Sequence, residues 1–139
     1  KDKVNIEVKF REEWRPFCPS MMEEESGKYL IGKSEAPFMI TAFDVPKEKA
    51  KKIEGVIHVD GTTRPQIVKK ATYPRYWNLL NNLRKKIGVG VVLNTSFNRK
   101  GEPIVCSPKD ALTTFLNCGM DCLAIGDYFV EKITKSSSR

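Results

Sequence analysis

Between Val91 and Thr114 the chain reads VVLNTSFNRKGEPIVCSPKDALTT, and five consecutive residues in it, Asn94, Thr95, Ser96, Phe97 and Asn98, carry side chains able to hydrogen-bond or to stack. They follow the apolar run Val91-Val92-Leu93, so they stand at a strand end, where open α/β sheets place ligands. Two readings fit the spacing. The polar residues either satisfy the backbone of a turn or serve a ligand. A polar group at the mouth of a buried strand costs roughly 1–3 kcal/mol if left unsatisfied, so partners must exist in one place or the other.

A second stretch, KFREEWRPFCPSM from Lys9 to Met21, interleaves Lys9, Arg11 and Arg15 with Phe10, Trp14 and Phe17 and is punctuated by Pro16 and Pro19. One reading is a surface segment whose rings anchor in the core while the long cations lie over apolar surface. The other is an anion clamp, with Lys9 and Arg15 converging on one phosphate; the planar fork of arginine suits phosphate oxygens. Arg64 stands where the turn Asp60-Gly61-Thr62-Thr63 rejoins extended chain, since Pro65 biases it away from helix. His58, the one histidine, alternates with apolar neighbours and reads as a hydrogen-bonded structural residue rather than a base. The four cysteines, Cys18, Cys106, Cys118 and Cys122, form no CxxC pair and lack histidine company, so no protein metal site is expected. They read as reduced, small core residues of a cytoplasmic protein.

These residues need elements to hold them. At 139 residues the chain is long enough to bury a core as one domain, expected over 1–134, and no apolar run approaches the roughly 20 residues of a membrane span. It opens on Lys1-Asp2-Lys3, with neither signal peptide nor initiator Met, and reads as cut from something longer. Twenty-four basic against 17 acidic residues, a net +7, point to an anionic partner: nucleic acid, nucleotide or small phosphate.

Val4, Ile6 and Val8 alternate without a capping pattern. Met22 to Leu30 reads as a short helix with an acidic start. Phe38 to Phe43 reads as a strand covered on both faces, Pro46 to Lys52 as a basic helical turn or loop, and Val56 to Val59 as a short strand before the turn and its restart at Arg64 to Val68. Pro74 to Ile87 is the clearest helix, with an apolar stripe of Tyr76, Leu79, Leu80, Leu83 and Ile87, extended by Trp77 and ended by Gly88. A second short apolar run, Ile104 to Cys106, precedes a helix from Pro108 to about Asn117, capped by Ser107 with Asp110 at its third position. Two closing strands flank Gly126-Asp127, and 135–139 is a polar tail expected to be disordered.

Three blocks, KFREEWRPFCPSM, HVDGTTRPQ and LNTSFNRKGEPIVCSPKDA with DCLAIGDYFV downstream, resemble the C-terminal, YrdC-like domain of the NodU/CmcH carbamoyltransferases. The resemblance covers nearly all of Val4 to Val130. It implies an α/β (α+β) fold, a twisted mixed β-sheet flanked by helices around a nucleotide and phosphate cleft. It implies an enzyme that takes carbamoyl phosphate and ATP, with Mg²⁺ carried by ATP, and forms carbamoyl-adenylate. An N-terminal actin-like domain of the same polypeptide, with its own metal, would then transfer the carbamoyl group to a substrate hydroxyl. Carried over by motif, Lys9 of KFRE and Arg15 of WRPF would grip carbamoyl phosphate or the phosphates of ATP. Arg64 of TTRPQ, with Thr95, Ser96 and Asn98 of NTSFN, would join them.

The chain departs from the family where it begins: the upstream Gly-Pro-Arg-Ala-Leu-Gly segment, which supplies another arginine, and the actin-like domain are not in it. The chain alone is therefore expected to fold without turning over. An adenylation of this kind needs positioning and charge neutralisation more than covalent help from protein. The alternative from another class is a basic nucleic-acid-binding or RNA-modification module of similar fold.

Overall fold

The computed structural model describes residues 1–32 and 35–133; the expected polar tail lies outside the described residues. The chain is a mixed α/β protein divided into two compact units, one of Lys1–Arg15 with Ser96–Arg139 and one of Pro16–Thr95.

The unit of Pro16–Thr95 is built on a three-stranded mixed sheet in the order β4-β1-β5. β1 (Cys18–Met22) runs parallel to β4 (Gln66–Val68), with Ser20 opposite Gln66, and antiparallel to β5 (Val91–Asn94), with Cys18 opposite Asn94. A second pair joins β2 (Phe43–Asp44) to β3 (Thr62–Thr63). The helices are α1 (Glu23–Tyr29), the single turn α2 (Lys47–Ala50) and α3 (Pro74–Ile87). α3 has the bounds its sequence predicts. Pro74 occupies its first turn, where a missing N–H costs nothing, and Gly88 ends it in the left-handed region at φ 78°. Met22, Val68 and Leu80 are completely buried, and Tyr76, Trp77 and Val92 pack on them.

Three expectations for this unit fail. Leu79 and Ile87 of the α3 stripe are 59% and 61% exposed; the short sheet covers only the arc of Tyr76, Trp77 and Leu80. Phe38 to Phe43 is no buried strand: Phe38 and Ile40 face solvent, and only Phe43 pairs, because Met39 turns left-handed at φ 56° and breaks the extension. Val56 to Val59 is no strand either. Glu54–Val56 forms a 3₁₀ turn and Val59 is fully exposed, since His58 closes a tight loop: its N–H donates to the Thr62 carbonyl (2.8 Å) and its own carbonyl accepts from Gly61 (3.0 Å).

The other unit opens with a π-helix, Val4–Lys9, and carries α4 (Pro108–Leu116) and a hairpin of β6 (Cys122–Ile125) and β7 (Tyr128–Glu131). α4 begins as expected. Ser107 accepts from the Asp110 N–H while the Asp110 carboxylate accepts from the Ser107 N–H, a reciprocal cap. Ala111, Phe115 and Cys118 are buried. Gly119 donates its N–H to the Glu7 carbonyl at 2.7 Å, and a Cβ there would sit 2.7 Å from the Cβ of Glu7, so the approach requires glycine.

The run Ile104 to Cys106 is not a strand; Ile104 is exposed and Val105 bonds back to the Phe97 carbonyl. The cysteines depart from the all-core expectation, since only Cys118 is buried while Cys106 and Cys122 are exposed, all four being free thiols. Among the described residues no helix is long and apolar enough to cross a membrane.

Candidate anion-binding site

Lys9 ends the π-helix with its side chain turned inward, and the residue is only 3% exposed. Its ammonium meets the loop that follows β5: the carbonyl of Ser96 at 2.8 Å, the carbonyl of Asn98 at 2.7 Å and Oδ1 of Asn98 at 2.7 Å, with the Ser96 hydroxyl further off at 3.3 Å. An ammonium has three hydrogens, so its donors are filled, and every acceptor is uncharged. The loop is tied further by Ser96 Oγ donating to Asn98 Oδ1 (2.7 Å), Asn98 Nδ2 donating to the Glu102 carbonyl (2.8 Å) and Lys100 N–H donating to the Lys9 carbonyl (2.9 Å). Ser96 and Asn98, singled out by type, are therefore paired within the protein first.

The segment after Lys9 is arranged by two unusual features. Phe10 is left-handed (φ 51°, ψ 49°), a conformation costing an L-residue roughly 1–2 kcal/mol. The Arg99 guanidinium lies 5.9 Å from the centre of its ring. The second feature is Asn5, which is completely buried. Its Nδ2 donates to the carbonyls of Glu13 (2.9 Å) and Arg15 (3.0 Å), and its Oδ1 accepts from Arg11 Nε (2.8 Å). Sequence reasoning missed Asn5, since an amide between Val4 and Ile6 reads as the outward member of an alternation.

Arg15 keeps a half-exposed side chain whose ion pair with Glu12 is long, at 4.0 Å. Burial first, then the charges of Arg11 and Arg15, push the Lys9 pKa below its ordinary value. Arg11 is likewise lowered, by burial and then by Arg15, with Glu12 opposing. Three cations thus repel one another here, an arrangement that favours an added anion. Trp14 does not anchor this segment, being 71% exposed, whereas Phe17 is buried as expected.

Arg64 and Thr95 belong to the unit of Pro16–Thr95. Arg64 is exposed between the buried Thr63 and Pro65, on the link from β3 to β4. In the same unit one polar residue from each strand of the sheet forms a trio: Ser20 Oγ donates to Gln66 Oε1 (2.8 Å), and Asn94 Nδ2 donates to Ser20 Oγ (2.8 Å) and Gln66 Oε1 (3.0 Å). His58 rests its Nδ1 3.3 Å from the Thr62 hydroxyl, while Nε2 is buried without a partner among the described residues.

This unit also holds a cavity of about 670 Å³ with apolar walls that include Leu30, Phe43 and Ile67. The charged side chains on it are Glu23, Glu35 and Lys69, and the lysine is paired with both carboxylates. That charge set does not match a polyanion.

Within the unit of Lys1–Arg15 with Ser96–Arg139, Lys9, Arg11 and Arg15 stand close enough to repel one another beside the polar loop of Ser96 and Asn98. The chain belongs to the family described as Carbamoyltransferase C-terminus, whose profile matches residues 1–132. It is 43% identical over 139 residues to nodulation protein NolNO of Sinorhizobium fredii, covering 98% of this chain and 20% of that protein. It is 31% identical over 132 residues to the 3'-hydroxymethylcephem-O-carbamoyltransferase of Amycolatopsis lactamdurans, covering 95% of this chain and 25% of the relative. An uncharacterised protein of Methanocaldococcus jannaschii is 44% identical over 133 residues, 96% of this chain and 26% of its own length. The chain thus spans a quarter or less, or close to it, of the curated relatives it matches.

Proposed function

We propose that this chain is the part of an O-carbamoyltransferase that binds ATP and carbamoyl phosphate and forms carbamoyl-adenylate. Water first cleaves carbamoyl phosphate to carbamate and inorganic phosphate; a carbamate oxygen then bonds to the α-phosphorus of ATP as the bond from that phosphorus to the α–β bridging oxygen breaks and pyrophosphate leaves. The observation that carries this reading is the cluster of Lys9, Arg11 and Arg15, in which a buried ammonium has only neutral acceptors and burial, with the neighbouring positive charges, lowers the pKa of Lys9 and of Arg11. Phosphoryl chemistry asks a protein for such charge, held in place, more than for a nucleophile.

In this reading Arg15 and Arg64 hold phosphate oxygens through their guanidinium forks. Ser96 and Thr95 supply hydroxyls, and Asn98 keeps the loop in shape. Lys9, its donors filled by the loop, acts on the ligand through its charge. Mg²⁺ would arrive on ATP phosphates, in keeping with its reluctance to dehydrate; among the described residues there is no group of three or more His, Cys, Asp or Glu that could hold a metal. The transfer to an acceptor hydroxyl is assigned to an actin-like N-terminal domain of the same polypeptide, in the cytoplasm where ATP is supplied. The much greater length of the relatives supports a partner domain.

The test is calorimetry of ATP–Mg²⁺ and of carbamoyl phosphate, with pyrophosphate release, on wild type and on Arg15→Ala and Arg64→Ala of the polypeptide that carries this chain. Each variant should lose about tenfold or more in affinity, the value of one charge-assisted contact of roughly 1.5–3 kcal/mol. Wild-type binding and pyrophosphate release in both variants would refute the assignment.

A further inference from the structure

We infer that Asn5 is a positioning residue for Arg15 of the anion site, acting through the backbone of residues 11–15; the inference rests on the reading of Arg15 given above. This stretch has no helix or strand ladder of its own to fix it. Within it one main-chain hydrogen bond, from Arg15 N–H to the Glu12 carbonyl (3.2 Å), spans the turn. Trp14 is largely exposed, and a tie from outside the stretch, from Lys100 Nζ to the Glu12 carboxylate (2.7 Å), holds a side chain and not the main chain.

Asn5 supplies what is missing. One amide nitrogen holds the Glu13 and Arg15 carbonyls together, its oxygen takes the Arg11 guanidinium, and its own carbonyl accepts the N–H groups of Phe10 and Arg11. Both Nδ2 hydrogens and Oδ1 are used, so a primary amide of this length is the one side chain that serves all three partners at once. Aspartate lacks the two donors, and leucine keeps only the volume. The Arg15 side chain itself has only a loose pairing with Glu12 at 4.0 Å, so its aim follows from where its backbone is held.

A double-mutant cycle on ATP–Mg²⁺ and carbamoyl phosphate affinity tests this, using Asn5→Leu, Asn5→Asp, Arg15→Ala and the two combinations in the polypeptide that carries this chain. Each Asn5 variant alone should lose roughly tenfold or more, because a displacement of about an ångström in a positioning group is worth that much. In the Arg15→Ala background the same changes should alter affinity by less than about twofold, since the residue they act through is gone. A merely structural Asn5 would give the same factor in both backgrounds, and that result overturns the inference. Unfolding of both Asn5 variants beside a folded Arg15→Ala overturns it as well, by placing Asn5 in the fold itself. If Arg15→Ala binds both ligands normally, the functional reading beneath falls first, a separate and recognisable outcome.

Discussion

At the scale of single residues, Lys9 decides most. Replacing it by methionine keeps the length of the side chain but leaves the Ser96 and Asn98 carbonyls and Asn98 Oδ1 without their donor. The expected loss is about 2–4 kcal/mol, read as a shift in denaturant midpoint at unchanged slope. The pH dependence has a definite sign. Burial lowers the folded-state pKa of Lys9 below its ordinary 10.5, so between the two values the unfolded chain binds the extra proton and stability rises with pH. The advantage of wild type over Lys9→Met should therefore grow as pH climbs toward 10.5; an advantage that shrinks over that window would contradict the burial. Lys9, Ser96 and Asn98 were legible in the sequence because their types announce polar chemistry. Asn5 was not: two of its partners are main-chain carbonyls, which leave no trace in residue identity.

At the scale of elements, the two longer helices and the strands β4 to β7 were legible, and two further strands expected from apolar runs did not form. α3 and α4 carry their own boundaries in Pro74, Gly88, Ser107 and Asp110, all local signals. The strands expected at Phe38 to Phe43 and Val56 to Val59 were undone by a left-handed Met39 and by the loop closed on His58, neither of which shows in hydrophobic pattern. Two predictions belong here. Leu80→Ala should cost about 2–5 kcal/mol, whereas Leu79→Lys and Ile87→Lys, on the exposed side of the same helix, should stay within about 0.5 kcal/mol; thermal melts of the three distinguish the observed face from the five-residue stripe. Ser107→Ala should cost about 1 kcal/mol by removing the cap of α4. The Asp110 carboxylate is held below its ordinary pKa, chiefly by the Ser107 hydroxyl and then by Cys106, so its contribution is complete above that ordinary value and is lost as pH falls through the folded one. Asp110→Asn should remove this acid sensitivity from the unfolding curve.

At the scale of the whole molecule, a net charge of +7 would make the proposed affinity for ATP depend on ionic strength. Binding should weaken steadily as salt is raised and should persist against added duplex nucleic acid; a steep loss with salt together with displacement by nucleic acid would favour the other class of partner. The two compact units were not legible at all. Their boundaries, at Arg15 and Pro16 and at Thr95 and Ser96, fall inside motifs rather than at any linker or change of composition. The polar trio of Ser20, Gln66 and Asn94 has a consequence for how the sheet assembles. Its members come from three strands that must find one another from positions 20, 66 and 94, and sliding β4 or β5 by one residue would swing its amide to the opposite face. The buried Ser20 hydroxyl would then lose a partner, at roughly 1–3 kcal/mol. Ser20 works as a parity check, rejecting mispaired sheets that hydrophobic burial alone would accept.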